Sequence, residues 1–129
     1  MTAKLRYLFN SKTRQDMMDL CVVEQEVCGY ILPDGNYGGS VHQMPNIAPD
    51  VINCFEMSNG VIRQLYISIP SDELIFWHSH PKSRPIPSRD DIDFIQRTAR
   101  PHVIIGFHPF PMICLYGFEG KRIVQLEKV

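Results

Sequence analysis

The sequence predicts a mixed α/β fold, with a mixed β-sheet flanked by two or three helices. Short apolar runs typical of strands alternate with segments whose apolar residues recur at helical spacing. The chain has 129 residues, enough for one core, so we expect a single domain over residues 1–129. Hydrophobic residues make up 44% and charged residues 21%, a composition typical of a globular rather than a disordered protein.

The first half of the chain predicts one helix and several short strands. Residues 11–24 are predicted to form a helix with Ser11 as its N-cap. The residues of its apolar stripe are Met17, Leu20 and Cys21. "EVCGYIL" is predicted to be a strand that stops at Pro33, "PDGNYGG" a turn, and "GSVHQM" the second strand of a hairpin. "DVINCFEM" is a further strand candidate.

The second half predicts two helices and four strands. "SNGVIRQLYIS" favours a helix despite Gly60, because Val61 and Leu65, with Ile62 and Tyr66 as further candidates, lie at helical spacing. "DELIFWHSH" is typical of a buried strand that ends at Pro81, with Trp77 facing the core. "SRDDIDFIQRTA" follows as a helix, and its expected inward residues are Ile92, Phe94 and Ile95. "HVIIGF", "MICLYGF" and "KRIVQLEKV" are predicted to be the closing strands.

Charge and composition exclude several classes of function. The net charge is −1 and the basic residues are scattered, which argues against a nucleic-acid partner. The apolar runs are far shorter than a membrane span, and the N-terminus lacks the apolar core of a signal peptide, so we expect a cytoplasmic protein. The four cysteines form no C-x-x-C pair and are interpreted as buried free thiols. They are Cys21, Cys28, Cys54 and Cys114.

The segment "IFWHSHPKSRPIPSRDD" suggests a metal site. His78 and His80 project from the same face of a strand, where two imidazoles can share one metal ion. Asp91, just inside a helix that Ser88 caps, can supply a third ligand. A single histidine is more often structural, and Ser-x-x-Asp is a common helix start. The combination of all four residues is rare by chance, and the structural interpretations leave "HSHP" unexplained.

A metal-activated hydrolase also needs a group that accepts and returns a proton. The sequence has no His-Glu-x-x-His motif, so a carboxylate must come from elsewhere. Glu26 has apolar neighbours, which would raise the pKa of its carboxyl towards the value that acid–base catalysis needs. Glu24 is the alternative, and spacing alone does not choose between them.

Three segments carry a resemblance to a known family. "EVCGYILPDG", "PNIAPDVINCFEM" and "FWHSHPKSRPIPSRDDIDF" resemble the JAMM (MPN-plus, Mov34/JAB-type) metalloproteases, in a compact prokaryotic or phage-type form. The pattern His-x-His, seven residues, Ser, two residues, Asp matches the signature of that family at every defined position. The resemblance implies a single-domain JAMM/MPN fold, which is cytidine-deaminase-like.

The resemblance also implies roles for individual residues. One zinc ion per chain would be bound by His78, His80 and Asp91, with water as the fourth ligand. Glu26 would take the proton of that water and return it to the leaving amine, and Ser88 would donate a hydrogen bond to the oxyanion. Asn46 and Phe55 resemble framework positions of the family, and the remaining histidines are not expected to bind the metal. These are His42, His102 and His108.

The implied activity is hydrolysis of the amide bond at the C-terminal tail of ubiquitin, a ubiquitin-like protein or a sulfur-carrier protein. One alternative is a non-catalytic MPN scaffold or a phage tail-assembly protein, which would have no evident reason to keep all five site residues. A second alternative is a metal-dependent hydrolase of a small molecule, because function depends on the surroundings of the site rather than on the fold. The substrate and the oligomeric state stay open.

Overall fold

A computed structural model describes residues 9–33, 38–69 and 73–128, and within them the chain forms three helices and six strands. The helices are α1 (Ser11–Leu20), α2 (Asn59–Ser68) and α3 (Arg89–Thr98). The strands are β1 (Cys28–Pro33), β2 (Gly39–Met44), β3 (Ile75–His80), β4 (His102–Gly106), β5 (Met112–Glu119) and β6 (Arg122–Lys128). The prediction of a mixed α/β fold is confirmed.

The strands form one mixed sheet in the order β2-β1-β3-β4-β5-β6. β3 and β4 are parallel and are connected through α3, whereas the other neighbouring pairs are antiparallel. The carboxyl ends of β3 and β4 therefore lie side by side, with His80 paired to Gly106. In open α/β sheets this end is where ligands usually bind.

The two faces of β3 contribute to two different cores. Trp77 packs with Met17 of α1 on one face, in a cluster that also contains Ile105 of β4. Phe76 belongs to the opposite face, in a cluster with Leu65 of α2 and Phe94 of α3. Because side chains alternate along a strand, His78 shares the face of Phe76. The prediction that Trp77 faces the core, opposite His78, is confirmed.

The first helix is shorter than predicted at its carboxyl end and has a different N-cap. Asn10 caps α1, since its Oδ1 accepts a hydrogen bond from the backbone N–H of Thr13 at 2.9 Å. The prediction of Ser11 as the cap is wrong by one residue, because Ser11 is already helical. The helix ends at Leu20 rather than at residue 24.

The predicted strand "DVINCFEM" is wrong, because two polar side chains hold this segment as a loop. Asn46 donates from Nδ2 to the carbonyl of Cys54 at 2.9 Å, and its Oδ1 accepts from the backbone N–H of Glu56 at 3.0 Å. Asp50 accepts in the same way from Ile52 and Asn53. These bonds give the backbone partners that a sheet would otherwise supply. Asn46 thus has the framework role that the resemblance implied.

The second and third helices start as predicted, but in each of them one residue that was expected to face inward is exposed. In α2, Ile62 and Leu65 are buried, whereas Val61 is 43% exposed. In α3, which Ser88 caps, Phe94 and Ile95 are buried but Ile92 is 38% exposed. Ile92 was predicted to face inward, and it faces outward because its neighbour in sequence, Asp91, takes the buried position of the first turn.

The hairpin β1–β2 and the closing strands β4, β5 and β6 are confirmed. Most of the predicted turn "PDGNYGG" lies outside the described residues, which omit residues 34–37. The four cysteines carry free thiols, but only Cys28 and Cys114 are buried as predicted. A bilayer-crossing helix, which would need both length and an apolar composition, does not occur in the described part of the chain.

Candidate metal centre

The structure brings His78, His80 and Asp91 together at the carboxyl end of β3. The Nε2 atoms of the two histidines are 3.1 Å apart. Oδ2 of Asp91 lies 3.0 Å from Nε2 of His80 and 3.2 Å from Nε2 of His78. The three side chains are all buried. Two imidazole nitrogens and one carboxylate oxygen therefore converge on a single point.

This arrangement fits a metal ion. In a tetrahedral zinc site with ligand distances near 2.0–2.1 Å, neighbouring ligand atoms are separated by about 3.3 Å, close to the separations of this cluster. A carboxylate oxygen of Glu26 and the ring nitrogens of His78 and His80 also lie within 4.8 Å of one another. The buried cluster can therefore hold a metal ion, and its assignment as a zinc site stays a prediction.

The orientation of His80 is fixed by the loop that follows it. Nδ1 of His80 lies 2.8 Å from the backbone carbonyl oxygen of Arg84. A carbonyl only accepts hydrogen bonds, so Nδ1 carries a proton, and in the neutral imidazole Nε2 then has the lone pair. This is the tautomer that binds a metal through Nε2.

His78 has an unusual partner. Its ring is fully buried and stacks on Phe55, with the ring centroids 4.1 Å apart. Its Nδ1 lies 2.7 Å from Nε2 of His102, the first residue of β4. Burial lowers the pKa of both His78 and His102, in the second case well below its usual value. His102 does not join the three converging atoms, but it contacts Nδ1, the other ring nitrogen of His78, a contact that the sequence did not predict.

Asp91 is held by the capping box at the start of α3. The backbone N–H of Ser88 donates to Oδ2 of Asp91 at 2.9 Å, and the backbone N–H of Asp91 donates to Oγ of Ser88 at 3.2 Å. Burial alone would raise the pKa of Asp91, but its hydrogen bonds with His78 and His80 lower it well below its usual value. The neighbours Asp90 and Asp93 are exposed.

Glu26 lies beside the histidines, whereas Glu24 is exposed. β1 pairs Cys28 with His78, and this register, extended by two residues, places Glu26 next to His80. Ser79 holds the extension, because its Oγ accepts from the backbone N–H of Val27 at 2.9 Å. This role of Ser79 was not predicted from the sequence. A serine between two histidines gives no signal of a partner 52 residues away in the chain.

The carboxyl of Glu26 is poorly solvated. The residue is 6% exposed, and its Oε1 has no hydrogen-bond partner among the described residues. Burial raises the pKa of Glu26 to about 7, against the opposing effect of His80. A carboxyl with this pKa can both take up and release a proton near neutral pH.

The family is decided by a sequence comparison. Residues 13–115 match the model of the prokaryotic homologs of the JAB domain. The chain belongs to this family. The fold agrees, since the solution structure of a protein from Desulfitobacterium hafniense is similar to this chain with a TM-score of 0.64. The two share 18% sequence identity, over 92% of this chain and 88% of that chain, so this likeness shows the fold alone. No curated protein matches the chain.

The candidate metal centre of this prokaryotic JAB domain lies beside a cleft of about 570 Å³. Glu26, His80 and Ser88 line the cleft, together with Ile52 and Ile86, whose side chains are exposed. The basic residues Lys82 and Arg84 also line the cleft, as does His108. The cleft gives a substrate access to the proposed site residues.

The loop between β3 and α3 forms one wall of the cleft and is tied to β4 and β5. The backbone N–H of Phe107 donates to the carbonyl of Ser83 at 3.0 Å, and the hydroxyl of Tyr116 donates to the carbonyl of Pro85 at 2.6 Å. Gly106 allows this approach, because a Cβ at that position would lie 2.4 Å from the backbone nitrogen of Pro85. The loop that orients His80 is thus fixed by three separate contacts.

Proposed function

We propose that this prokaryotic JAB domain is a zinc-dependent peptidase or isopeptidase. Its proposed substrate is the amide bond at the C-terminal tail of a ubiquitin-like or sulfur-carrier protein. One observation carries the proposal: three ligand atoms of His78, His80 and Asp91 converge at an open cleft, with the buried carboxyl of Glu26 beside them. A metal ligand set and a proton acceptor in one cleft are the parts that metal-assisted hydrolysis needs.

Zinc suits the donor set of two imidazoles and one carboxylate. His78, His80 and Asp91 would hold it and leave one position open towards the cleft. When bound there, zinc would supply water with a pKa lowered to about 7, and so a nucleophile at neutral pH.

Glu26 is proposed as the general base and acid. In the metal-free chain the pKa of its carboxyl is about 7, and a carboxyl near this value suits a group that accepts a proton and then returns it to the nitrogen of the leaving amine. The unpartnered Oε1 supports this role, because no hydrogen bond within the described structure has to break before it takes the proton.

Ser88 is proposed to stabilise the oxyanion. Its Oγ accepts a hydrogen bond from the backbone of Asp91, so its own hydroxyl hydrogen stays available for donation towards the cleft. The capping role and the proposed catalytic role therefore use different parts of the same hydroxyl. Loss of one oxyanion donor typically costs about 2.7–4 kcal/mol of transition-state stabilisation.

The surroundings of the cleft favour an extended peptide tail over a compact small molecule. The cleft is open, and Ile52 and Ile86 expose 52% and 55% of their surface there. Two exposed isoleucines can pack against apolar side chains of a tail, and Lys82 and Arg84 beside them can pair with its acidic groups. These features support a protein tail as the substrate.

The test is hydrolysis of a ubiquitin-like protein that carries a reporter in amide linkage at its C-terminus. We expect Glu26→Gln to lower kcat by at least about 100-fold while zinc stays near one per chain, because the ligands are unchanged. Asp91→Asn should lower both turnover and zinc content. The matched control is Glu24→Gln, which changes an exposed carboxylate two residues away and should keep wild-type turnover.

Wild-type turnover in Glu26→Gln would contradict the assignment of the base. A zinc-loaded wild type that cleaves no such conjugate would contradict the proposed substrate class while leaving the metal site intact. A wild type that binds no zinc would favour the non-catalytic scaffold.

A further inference from the structure

His102 is a buried polar residue for which the proposed reaction has no role. Its side chain is 0% exposed, and it does not line the cleft. Its Nε2 contacts His78, but its Nδ1 has no hydrogen-bond partner among the described residues. Its ring neighbours include Phe55 and Phe94, with centroids 5.9 and 5.5 Å away. A buried unpartnered polar group typically costs about 1–3 kcal/mol, so its presence needs an explanation.

His102 lies on the strand next to His78, on the same face of the sheet. β3 and β4 are parallel, and His102 pairs with Phe76, two residues before His78 on the same face. The contact between the two imidazoles is therefore fixed by the register of two buried strands rather than by a mobile loop. At 2.7 Å it is a short hydrogen bond between rings that cannot easily move apart.

The protons of this pair determine whether His78 can bind a metal. Nε2 of His78 can do so only if the proton of the ring is on Nδ1. That proton must then be donated to Nε2 of His102, which acts as the acceptor. In the opposite arrangement His102 donates, and the proton of His78 moves to Nε2, where it faces Asp91 and blocks the metal position. The carbonyl of Arg84 determines which ring nitrogen of His80 carries the proton. For His78, the tautomer of His102 determines it.

We propose that His102 is a positioning residue of the metal site: it accepts the Nδ1 proton of His78 and so keeps Nε2 of His78 free and aimed at the metal. The inference rests on the metal site of the proposed function. When Nε2 of His102 accepts, its own proton is on Nδ1, among aromatic rings. The energetic cost of this arrangement is the consequence of orienting His78.

The first test compares zinc affinities by competition with a chromophoric chelator. His102→Leu removes the acceptor and keeps an apolar side chain of similar size, and we expect zinc to bind about 10–100-fold more weakly. His102→Gln keeps an acceptor oxygen and should recover most of the loss. The control is His42→Leu, which removes a histidine that stacks on Tyr30 away from the site, and its affinity should match the wild type.

Two results would overturn the inference. One is a His102→Leu variant that folds and binds zinc within about twofold of the wild type. The other is equal weakening in His102→Leu and His102→Gln, since the loss would then come from altered packing rather than from a missing acceptor.

The second test uses the unaltered protein and so does not depend on the folding of a variant. Long-range proton–nitrogen NMR of the zinc-loaded chain shows which ring nitrogens carry protons. We expect the proton on Nδ1 in both His78 and His102. A proton on Nε2 of His102 would overturn the inference.

The experiments distinguish an error in the proposed metal site from an error in the positioning role of His102. A wild type that binds no zinc contradicts the metal site itself. A wild type that binds zinc with an affinity that His102 does not affect contradicts only the positioning role.

Discussion

At the scale of single residues, the site depends on where protons reside. Asp91 stays ionised between two histidines, Glu26 titrates near neutral pH, and His80 keeps one tautomer through the carbonyl of Arg84. Each of these states follows from burial together with one or two specific partners. A metal can bind Nε2 of His78 and Nε2 of His80 only when these two nitrogens carry no proton.

The raised pKa of Glu26 predicts a dependence of stability on pH. The folded chain holds this proton up to about pH 7, whereas the ordinary value is 4.5, so protonation of Glu26 favours the folded state. The contribution is complete below about pH 4.5 and is lost as the pH rises to about 7. For the metal-free protein, we expect the free energy of unfolding of the wild type to fall relative to Glu26→Gln across this window. The fall should not exceed about 3 kcal/mol.

Denaturant unfolding in the presence of a chelator, at several pH values, measures this difference. A constant difference between the wild type and Glu26→Gln from pH 4.5 to 7 would contradict the raised pKa.

The side chains that converge at the candidate site are easier to predict from the sequence than the residues that hold them in place. The spacing of His78, His80 and Asp91 follows from one strand, one loop and one helix cap, all local in the chain. His102 and Ser79 act through strands that pair over 24 and 52 residues, and no local pattern specifies such contacts. The sequence offers Glu26 as a candidate for the acid–base residue, but only its burial in the structure distinguishes it from Glu24.

At the scale of elements, strands and helices with strong patterns are predicted well. β3 is buried throughout and is followed by a proline, and α3 begins with a capping box. The segment after β2 is misjudged, because its apolar residues suggest a strand while Asn46 and Asp50 supply hydrogen bonds that hold a loop. Such side-chain contacts override an intrinsic preference for strand.

The loop between β3 and α3 gives a test at this scale. In Gly106→Ala, the new Cβ would lie 2.4 Å from the nitrogen of Pro85 and 2.7 Å from the carbonyl carbon of Arg84. Both are backbone atoms, so the loop must move, and with it the carbonyl that orients His80. We expect a loss of about 1–3 kcal/mol in the free energy of unfolding, together with weaker zinc binding.

The matched control is Gly60→Ala in α2. The nearest atom to its Cβ would be Oγ of Ser58 at 3.7 Å, so we expect a gain of about 0.5–1 kcal/mol and unchanged zinc binding. Chemical denaturation and chelator competition measure both quantities. Equal behaviour of the two variants would show that contact with the loop does not control the site.

At the scale of the whole molecule, the candidate metal centre lies where two parallel strands end and one helix begins. A ligand that joins β3 to α3 crosslinks elements that also build the main cores. Binding to the folded state alone stabilises a protein by about 2.7 kcal/mol at a free concentration of 100 times Kd. For a chain of this length, zinc should raise Tm by roughly 10 °C.

Thermal unfolding with and without zinc measures this effect, with magnesium as the control ion, because imidazole ligands suit zinc and not magnesium. An equal rise in Tm with both ions, or no rise with zinc, would contradict a specific site at the end of β3.

The most direct test of the central claim, that His78, His80 and Asp91 bind zinc, is the metal content of the purified protein by elemental mass spectrometry. The wild type is compared with a His78→Ala, His80→Ala double variant, both produced with zinc supplied. We expect about one zinc per chain in the wild type and little in the variant. Little zinc in both would contradict the metal centre and favour a non-catalytic JAB scaffold.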